Sequence, residues 1–289
     1  LVPLYWLPYH LIVSEDSSDM WFGAETGFLS LLARLSGILS PLIGGLIIVL
    51  EGYHVLFVIV GFLVILSFIP LGFMSHHKIH KAPSLKEVAS GVMEPKRRLE
   101  WVSVFFAGVH DDFENVFWVL IMFLILRSEE PLGLLKSASA IVMLLTVYVV
   151  GKVIDKRKNA GRVLKFAARV DALLWACRFF VQSVFSLSIT EFLVRISRGL
   201  MWTSFDAIVY HRARISDRGA FFYFIRREYV LNLGRVAGLF LLLLLVLSGI
   251  DLRFGVFVGA VASLFLAPRS LLSFGRDAAK LDSKKKGQT

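Results

Sequence analysis

The sequence predicts an all-α polytopic membrane protein, and three features predict it. Of its 289 residues, 56% are hydrophobic and only 19% charged, where soluble chains run nearer a quarter charged and a little under half apolar. Apolar runs such as 56–74 and 236–250 call for a lipid solvent. The basic residues behind the net charge of +10 (32 Lys and Arg against 22 Asp and Glu) gather in the connections between those runs. The first two features exclude a water-soluble enzyme. The third removes the case for a nucleic-acid partner, because a bias of Lys and Arg toward cytoplasmic loops accounts for the charge. The one cysteine, Cys177, lies in an apolar stretch, so neither an internal disulfide nor a cysteine-based metal cluster is available.

A spanning helix needs about 20 mostly apolar residues. The chain opens on an apolar partial helix at 1–13, with no charged region ahead of it, so it is not a signal peptide. That opening reads as a segment entered partway and predicts an N-terminally incomplete chain. Spans follow at 22–50, 53–75, 100–127, 132–152, 162–187, 190–212, 218–249 and 253–268, about eight full transmembrane helices. Pro41, Gly44 and Gly45 should bend or thin the first of them, since proline removes a backbone donor and glycine permits close approach.

The connections set the topology. Those at 76–98, 152–165 and 211–218 and the tail are rich in Lys and Arg, while 127–131, 186–190 and 251–253 carry one Arg or none. This alternation puts the C-terminus in the cytoplasm of a multi-pass protein of the plasma (inner) membrane. The acidic connection 14–25 should also be cytoplasmic, and acidic residues count little in that rule. The connection at 76–99, with Pro83 and Pro95, is the longest. It divides the chain into 1–75, a central cytoplasmic loop, a block of spans at 100–268, and a basic tail at 269–289.

Charges inside spans are costly and face a cavity or one another. Span 100–127 carries His110-Asp111-Asp112-Phe113-Glu114-Asn115, with Asp111 about 15 Å deep at helical rise. At helical spacing His110, Asp111, Glu114 and Trp118 share one arc, Asn115 flanks it, and Asp112 points away. One reading is a cavity that binds a cation or exchanges protons; the other is a helix interface neutralised by Arg from neighbours. Span 190–212 has a complementary stripe of Glu191, Arg195, Arg198, Trp202, Asp206 and Tyr210. Arg offers a planar fork for carboxylates or phosphates, and Glu191–Arg195 and Arg198–Asp206 pairs are the structural alternative. Asp171, Trp175 and Arg178 share a face at i, i+4 and i+7 and read as architecture. So do Arg226 and Arg227, which can snorkel at the cytoplasmic edge, and Glu228 and Arg235, which share a face and can pair within the helix or across to a neighbour. No nucleotide fingerprint, metalloprotease spacing or nucleophile motif occurs. His76, His77 and His80 sit in a basic loop without a carboxylate or cysteine to complete a metal site. No catalytic residue, cofactor or metal is predicted.

Two motifs give the chain a family resemblance. Gly151-Lys152-Val153-Ile154-Asp155-Lys156-Arg157 resembles the cytoplasmic G-x-x-x-D-[RK] loop motif of the major facilitator superfamily, in the copy between helices 8 and 9. Gly37-Ile38-Leu39-Ser40-Pro41-Leu42-Ile43-Gly44-Gly45 is similar to that family's fifth-helix motif, with Ser40 in place of a glycine. The resemblance implies that the partial helix is the end of helix 4, that the full spans are helices 5 to 12, and that three helices precede them. In that family helices 1, 4, 7 and 10 line the cavity, and the two polar stripes fall on spans 7 and 10. It therefore implies a cavity role for His110, Asp111, Glu114, Asn115, Trp118, Arg195, Arg198, Trp202 and Asp206. It also implies a gate in which Asp155, beside Lys156 and Arg157, bonds to the start of helix 5 near 24–28 and to Arg212 or Arg214. The expected activity is secondary active transport of a small solute by alternating access, coupled to protons or an ion such as Na+, by a monomer. A non-transporting sensor or scaffold on the same fold, or an incomplete gene product, are the alternatives.

Overall fold

The computed structural model describes residues 22–72, 84–157, 160–214, 216 and 219–267, without the side chains of 22–34, 70–72, 85, 96, 152–157 and 214. The expected partial helix at 1–13 and the tail at 269–289 lie outside these residues. Among them the chain is helical and has no strand. α1 spans Phe22–Gly72, α2 Leu85–Val92 and α3 Arg98–Asp112. A π-helical turn, Phe113–Phe117, joins α3 to α4, Trp118–Leu126. α5 spans Glu129–Arg157, α6 Ala160–Cys177, α7 Val184–Arg214, α8 Gly219–Leu247 and α9 Val256–Phe265.

α1 is two helices in one. Its Leu35–Ile69 stretch of 35 residues would be about 52 Å long if straight, against a hydrocarbon core of about 30 Å. Gly52 breaks it with φ 80° and ψ 174°, a conformation that only glycine adopts readily. A Cβ at Gly44 would lie 4.0 Å from Leu56 Cδ1, although twelve residues of straight helix would separate them by about 18 Å. The halves therefore fold back on each other, as the division at 50–53 predicts. Tyr53 Oη donates to Glu129 Oε1 at 2.8 Å, which ties the hairpin tip to the start of α5.

Leu35–Ile69, Glu129–Gly151 and Gly219–Leu247 are long and apolar enough to cross a membrane. The other expected spans are helical, but α3 and α7 carry charges along their length, and the apolar stretch Leu252–Phe265 amounts to about 20 Å. Two expected connections are corrected. Residues 186–190 belong to the first turns of α7, which starts earlier because Ser183 Oγ caps the Ser186 N–H at 3.2 Å. Gly151, Asp155, Lys156 and Arg157 form the last turns of α5 instead of a loop. α5 begins with Glu129 and Glu130, whose charge suits a helix N-terminus.

The long connection contains α2, held by a capping box. Ser84 Oγ accepts from the Glu87 N–H at 3.3 Å and Glu87 Oε2 accepts from the Ser84 N–H at 2.8 Å. α2 lies on α8, and Gly91 leaves room for the Arg226 guanidinium, since a Cβ there would meet Arg226 Cζ at 1.9 Å. Arg226 and Arg227 are consequently buried instead of snorkelling, and Arg227 pairs with its neighbour Glu228.

In the bundle α3 packs on α8 and α9, α9 on α6, α6 on α7, and α7 on α5, while α1 packs on α5. The closest crossing is α3 on α8, where a Cβ on Gly234 would meet Phe105 O at 2.0 Å and one on Gly108 would meet Leu231 O at 2.1 Å. Such backbone approach is how helices gain contact where lipid removes the hydrophobic drive. The core has two apolar clusters. One is built around Trp101, Leu164, Phe205 and Phe224, the other around Phe113, Phe117, Trp118 and Trp175. Along α7 the charged side chains Glu191, Arg195 and Arg198 fall between Leu187 of the second cluster and Met201 of the first, and there they meet the charges of α3, the π turn and the turn that ends α6.

Candidate functional site

That intervening layer is a network of carboxylates and cations drawn from six helical segments. The π turn buries Glu114 completely. Arg178, in the 3-10 turn that ends α6, bonds Glu114 Oε2 through Nη1 at 2.6 Å and Glu191 Oε2 through Nη2 at 3.3 Å. Its guanidinium stacks on two indoles, with Cζ 4.0 Å from the Trp118 ring centroid and 4.3 Å from that of Trp175. Stacking of this kind is open to a planar delocalised cation and offsets part of the desolvation of a buried charge.

Glu191, on α7, is also fully buried. Its Oε2 accepts from Trp118 Nε1 at 2.9 Å. Its Oε1 faces Lys136 Nζ at 3.3 Å, Ser139 Oγ at 3.4 Å, Arg195 Nε at 3.0 Å and Arg195 Nη2 at 2.8 Å. Arg198 bridges the acids of the other stripe, with Nη1 3.4 Å from Glu114 Oε1 and Nη2 3.2 Å from Asp111 Oδ1. Asp111 accepts from Asn115 Nδ2 at 2.9 Å and from Arg235 Nη2 of α8 at 2.9 Å. Held among guanidinium groups, Glu114 is their counter-ion. Asp111, with 23% of its side chain exposed, is the acid that water can reach.

His110 stands behind this network. Its Nε2 lies 2.9 Å from Asp171 Oδ2 and 3.1 Å from Trp175 Nε1. A proton on that nitrogen donates to Asp171 and a bare nitrogen accepts from Trp175, so the two bonds exclude each other. Asp171 is held further by Ser197 Oγ at 2.7 Å and Ser263 Oγ at 2.6 Å, and His110 Nδ1 is buried with no partner among the described residues. His110 and Glu114 do share a face, and that face meets the Asp171–Trp175–Arg178 ladder of α6.

A cavity of about 790 Å³ opens between α1 and the bundle. Gly37, Pro41, Gly44 and Gly45 line one wall, Asn115, Lys136 and Arg195 stand at its polar end, and Tyr53 and Glu129 stand toward the hairpin tip. The small residues of α1 permit this seam. A Cβ on Gly133 of α5 would meet Pro41 O at 2.4 Å, and one on Gly45 would meet Glu129 O at 3.0 Å.

Of the predicted cavity residues, Asn115 and Arg195 line it, Asp111, Glu114, Trp118 and Arg198 belong to the charged layer, and His110 is enclosed. Trp202 packs on His110 and Phe205, with its Nε1 buried and without a partner among the described residues. Asp206 is half-buried about two turns beyond Arg198 along α7. Arg198 pairs with Asp111 and Glu114, where the structural alternative pairs it with Asp206, and Arg235 takes the second of its two alternatives, reaching across to Asp111. Among the gating residues Arg212 is half-buried near the end of α7. The side chains of Asp155, Lys156, Arg157, Arg214 and 24–28 lie outside the described residues. Lys136, which lines the cavity and joins the charged layer, is the member of the candidate site that sequence reasoning missed. Its only signal is that it stands alone in an otherwise apolar stretch of α5. Arg178 was read as architecture, although it sits seven residues from Asp171 on a face that mirrors His110 and Glu114.

No family model matches the sequence. The chain is 24% identical over 256 residues to a Bacillus subtilis (strain 168) protein described as "Uncharacterized protein YqgE", a match that covers 84% of this chain and 58% of that protein. The chain thus spans less than two thirds of that relative's length.

Proposed function

We propose that the protein is a secondary active transporter that moves a small solute by alternating access between two helical blocks, on a plan like that of the major facilitator superfamily. The observation that carries the reading is the charged layer beside a cavity at the seam between α1 and the bundle. Glu114, Glu191 and Arg178 are enclosed among apolar clusters at a depth where charge is retained for substrate or ion pathways. The close Gly133–Pro41 and Gly45–Glu129 approaches supply a seam without bulky side chains, along which blocks can rock. In this reading α3 with α4, α6, α7 and α9 also cross the bilayer, their charges satisfied inside the bundle. Asp111 is the acid a coupling proton or ion reaches first, and Glu114 holds the cations in place. The protein acts as a monomer with no cofactor.

The test is flux. Purified protein in proteoliposomes loaded with a pH-sensitive dye is offered anionic, zwitterionic, cationic and neutral solutes across an imposed pH gradient. Solute-dependent proton movement that is lost in Asp111→Asn is expected. Its absence across the panel, with protein that remains folded, overturns transport and leaves a scaffold.

A further inference from the structure

The charged layer holds more positive charge and more donors than its own carboxylates can use. Around Asp111, Glu114 and Glu191 stand Lys136, Arg178, Arg195, Arg198 and Arg235, so five cations meet three acids. Asp112, whose Oδ2 is buried without a partner among the described residues, still leaves the cations in excess when it is counted. The surplus is local. Three nitrogen donors, Lys136 Nζ and the Nε and Nη2 of Arg195, converge on Glu191 Oε1 alone, where a carboxylate oxygen offers two lone pairs, while the Ser139 hydroxyl has a nearer acceptor in Lys136 O at 3.0 Å. Two of the residues that crowd it, Lys136 and Arg195, are also the two cations that line the cavity, and each leaves 12% of its side chain accessible. Buried charge without a counter-charge is costly, and the place where a counter-charge can enter is the cavity.

The rest of that cavity says what body the counter-charge carries. Beyond Asn115, Lys136 and Arg195 its walls are Ile48, Val116, Val119, Leu120, Phe123 and Leu132, with the glycines of α1. The one further acid on its lining, Glu129, stands about 10 Å from Lys136 along α5 and accepts from Tyr53. We infer that the cavity binds a small monoanion with an apolar body, its carboxylate between Lys136 and Arg195 and its hydrocarbon part along the α1 seam. The inference deepens the transport reading by naming its substrate class.

Thermal unfolding of the purified protein in detergent tests this with four probes that separate charge from body: benzoate, benzylamine, benzyl alcohol and inorganic phosphate. A ligand of the native state raises the melting temperature in proportion to its occupancy. Benzoate should stabilise saturably, with an apparent affinity at least about tenfold above the other three. Lys136→Gln and Arg195→Gln should each lose that preference, while Lys136→Arg keeps it. Equal response to benzylamine or benzyl alcohol overturns the anion site, and equal response to phosphate overturns the apolar body. An undiminished benzoate response in folded Lys136→Gln and Arg195→Gln overturns the assignment to these residues. If the Gln variants fail to fold, the wild-type probe series decides alone. Benzoate binding without flux in proteoliposomes upholds the site and fails the transport reading, whereas flux restricted to cations does the reverse.

Discussion

α1 and the bundle of α3 to α9 solve opposite problems. No residue of the most apolar window in α1 is buried, and Leu50, Phe57 and Val58 stay 76%, 69% and 72% exposed. Its charged and titratable residues in that stretch, Glu51, Tyr53 and His54, flank the reversal at Gly52. The bundle instead places Glu114, Glu191, Asp171 and Arg178 in its interior. In water this arrangement would be inside out. In lipid it follows from the solvent, because hydrocarbon already solvates apolar side chains, and association has to come from close packing and from polar groups that find one another. Among the described residues α1 is accordingly held by a glycine seam and a tyrosine bond, and the bundle adds ion pairs to its own close glycine crossing.

The sharpest way to break this contrast is to remove the central cation. Arg178→Leu takes from Glu114 and Glu191 the stacked guanidinium that bonds both and leaves Lys136, Arg195 and Arg198 to balance them, a loss of up to about 3–5 kcal/mol, the scale of a broken buried pair. Little monodisperse protein should survive detergent extraction. A melting temperature near wild type would mean that the layer holds nothing together. A smaller effect probes close packing. Gly234→Val thrusts a side chain at Phe105 O, where a Cβ alone would stand 2.0 Å away, and overpacking costs about 1–3 kcal/mol. Gly37→Ala meets nothing within 4 Å on α1 and should leave the melting curve in place. Equal shifts for the two glycines would erase the distinction between bundle and hairpin.

Much of this was legible in the sequence because intramembrane charge is rare. The stripes on 100–127 and 190–212 put Asp111, Glu114, Arg195 and Arg198 in one network, and the turn between 50 and 53 is where α1 reverses. What stayed hidden was the partner of each face. Lys136 stands alone in its stretch of helix and has no periodic signal. Arg178 shows its spacing from Asp171 and Trp175, but nothing in that spacing names Glu114 and Glu191 as the acids it bonds. Arg235 shares a face with Glu228, and the spacing does not name Asp111 as its partner across the bundle. Helical spacing tells which residues share a face but not which neighbour that face meets, and so His110 was placed at a cavity although its face meets α6.

The smallest expected effect lies outside both regions. Asp251 accepts from Arg253 Nη2 at 2.6 Å and from the Arg253 N–H at 2.9 Å. Those bonds, side chain first, hold its carboxyl below the ordinary 3.8. A depressed folded-state value stabilises the fold above the unfolded value, about pH 4, and that contribution is lost as pH falls through the folded value. Asp251→Asn should therefore lower the melting temperature slightly at pH 7, and the gap should close toward pH 3. A gap that persists in acid would assign the effect to the cap's shape and not to its charge. Exposure of both side chains keeps the effect small.

The wide turn at Phe113–Phe117 has a consequence of alignment. In a regular helix groups at i, i+4 and i+8 drift about 40° at each step and wind around the cylinder. A turn that closes on the fifth residue takes up part of that drift, and it lies between His110, which meets Asp171, and Trp118, which meets Arg178 and Glu191. Passing the wide turn along by one residue would twist the half of the helix beyond it against the half before it. The facing of His110 and Glu114 relative to Trp118 is thus fixed by where in the sequence the wide turn falls.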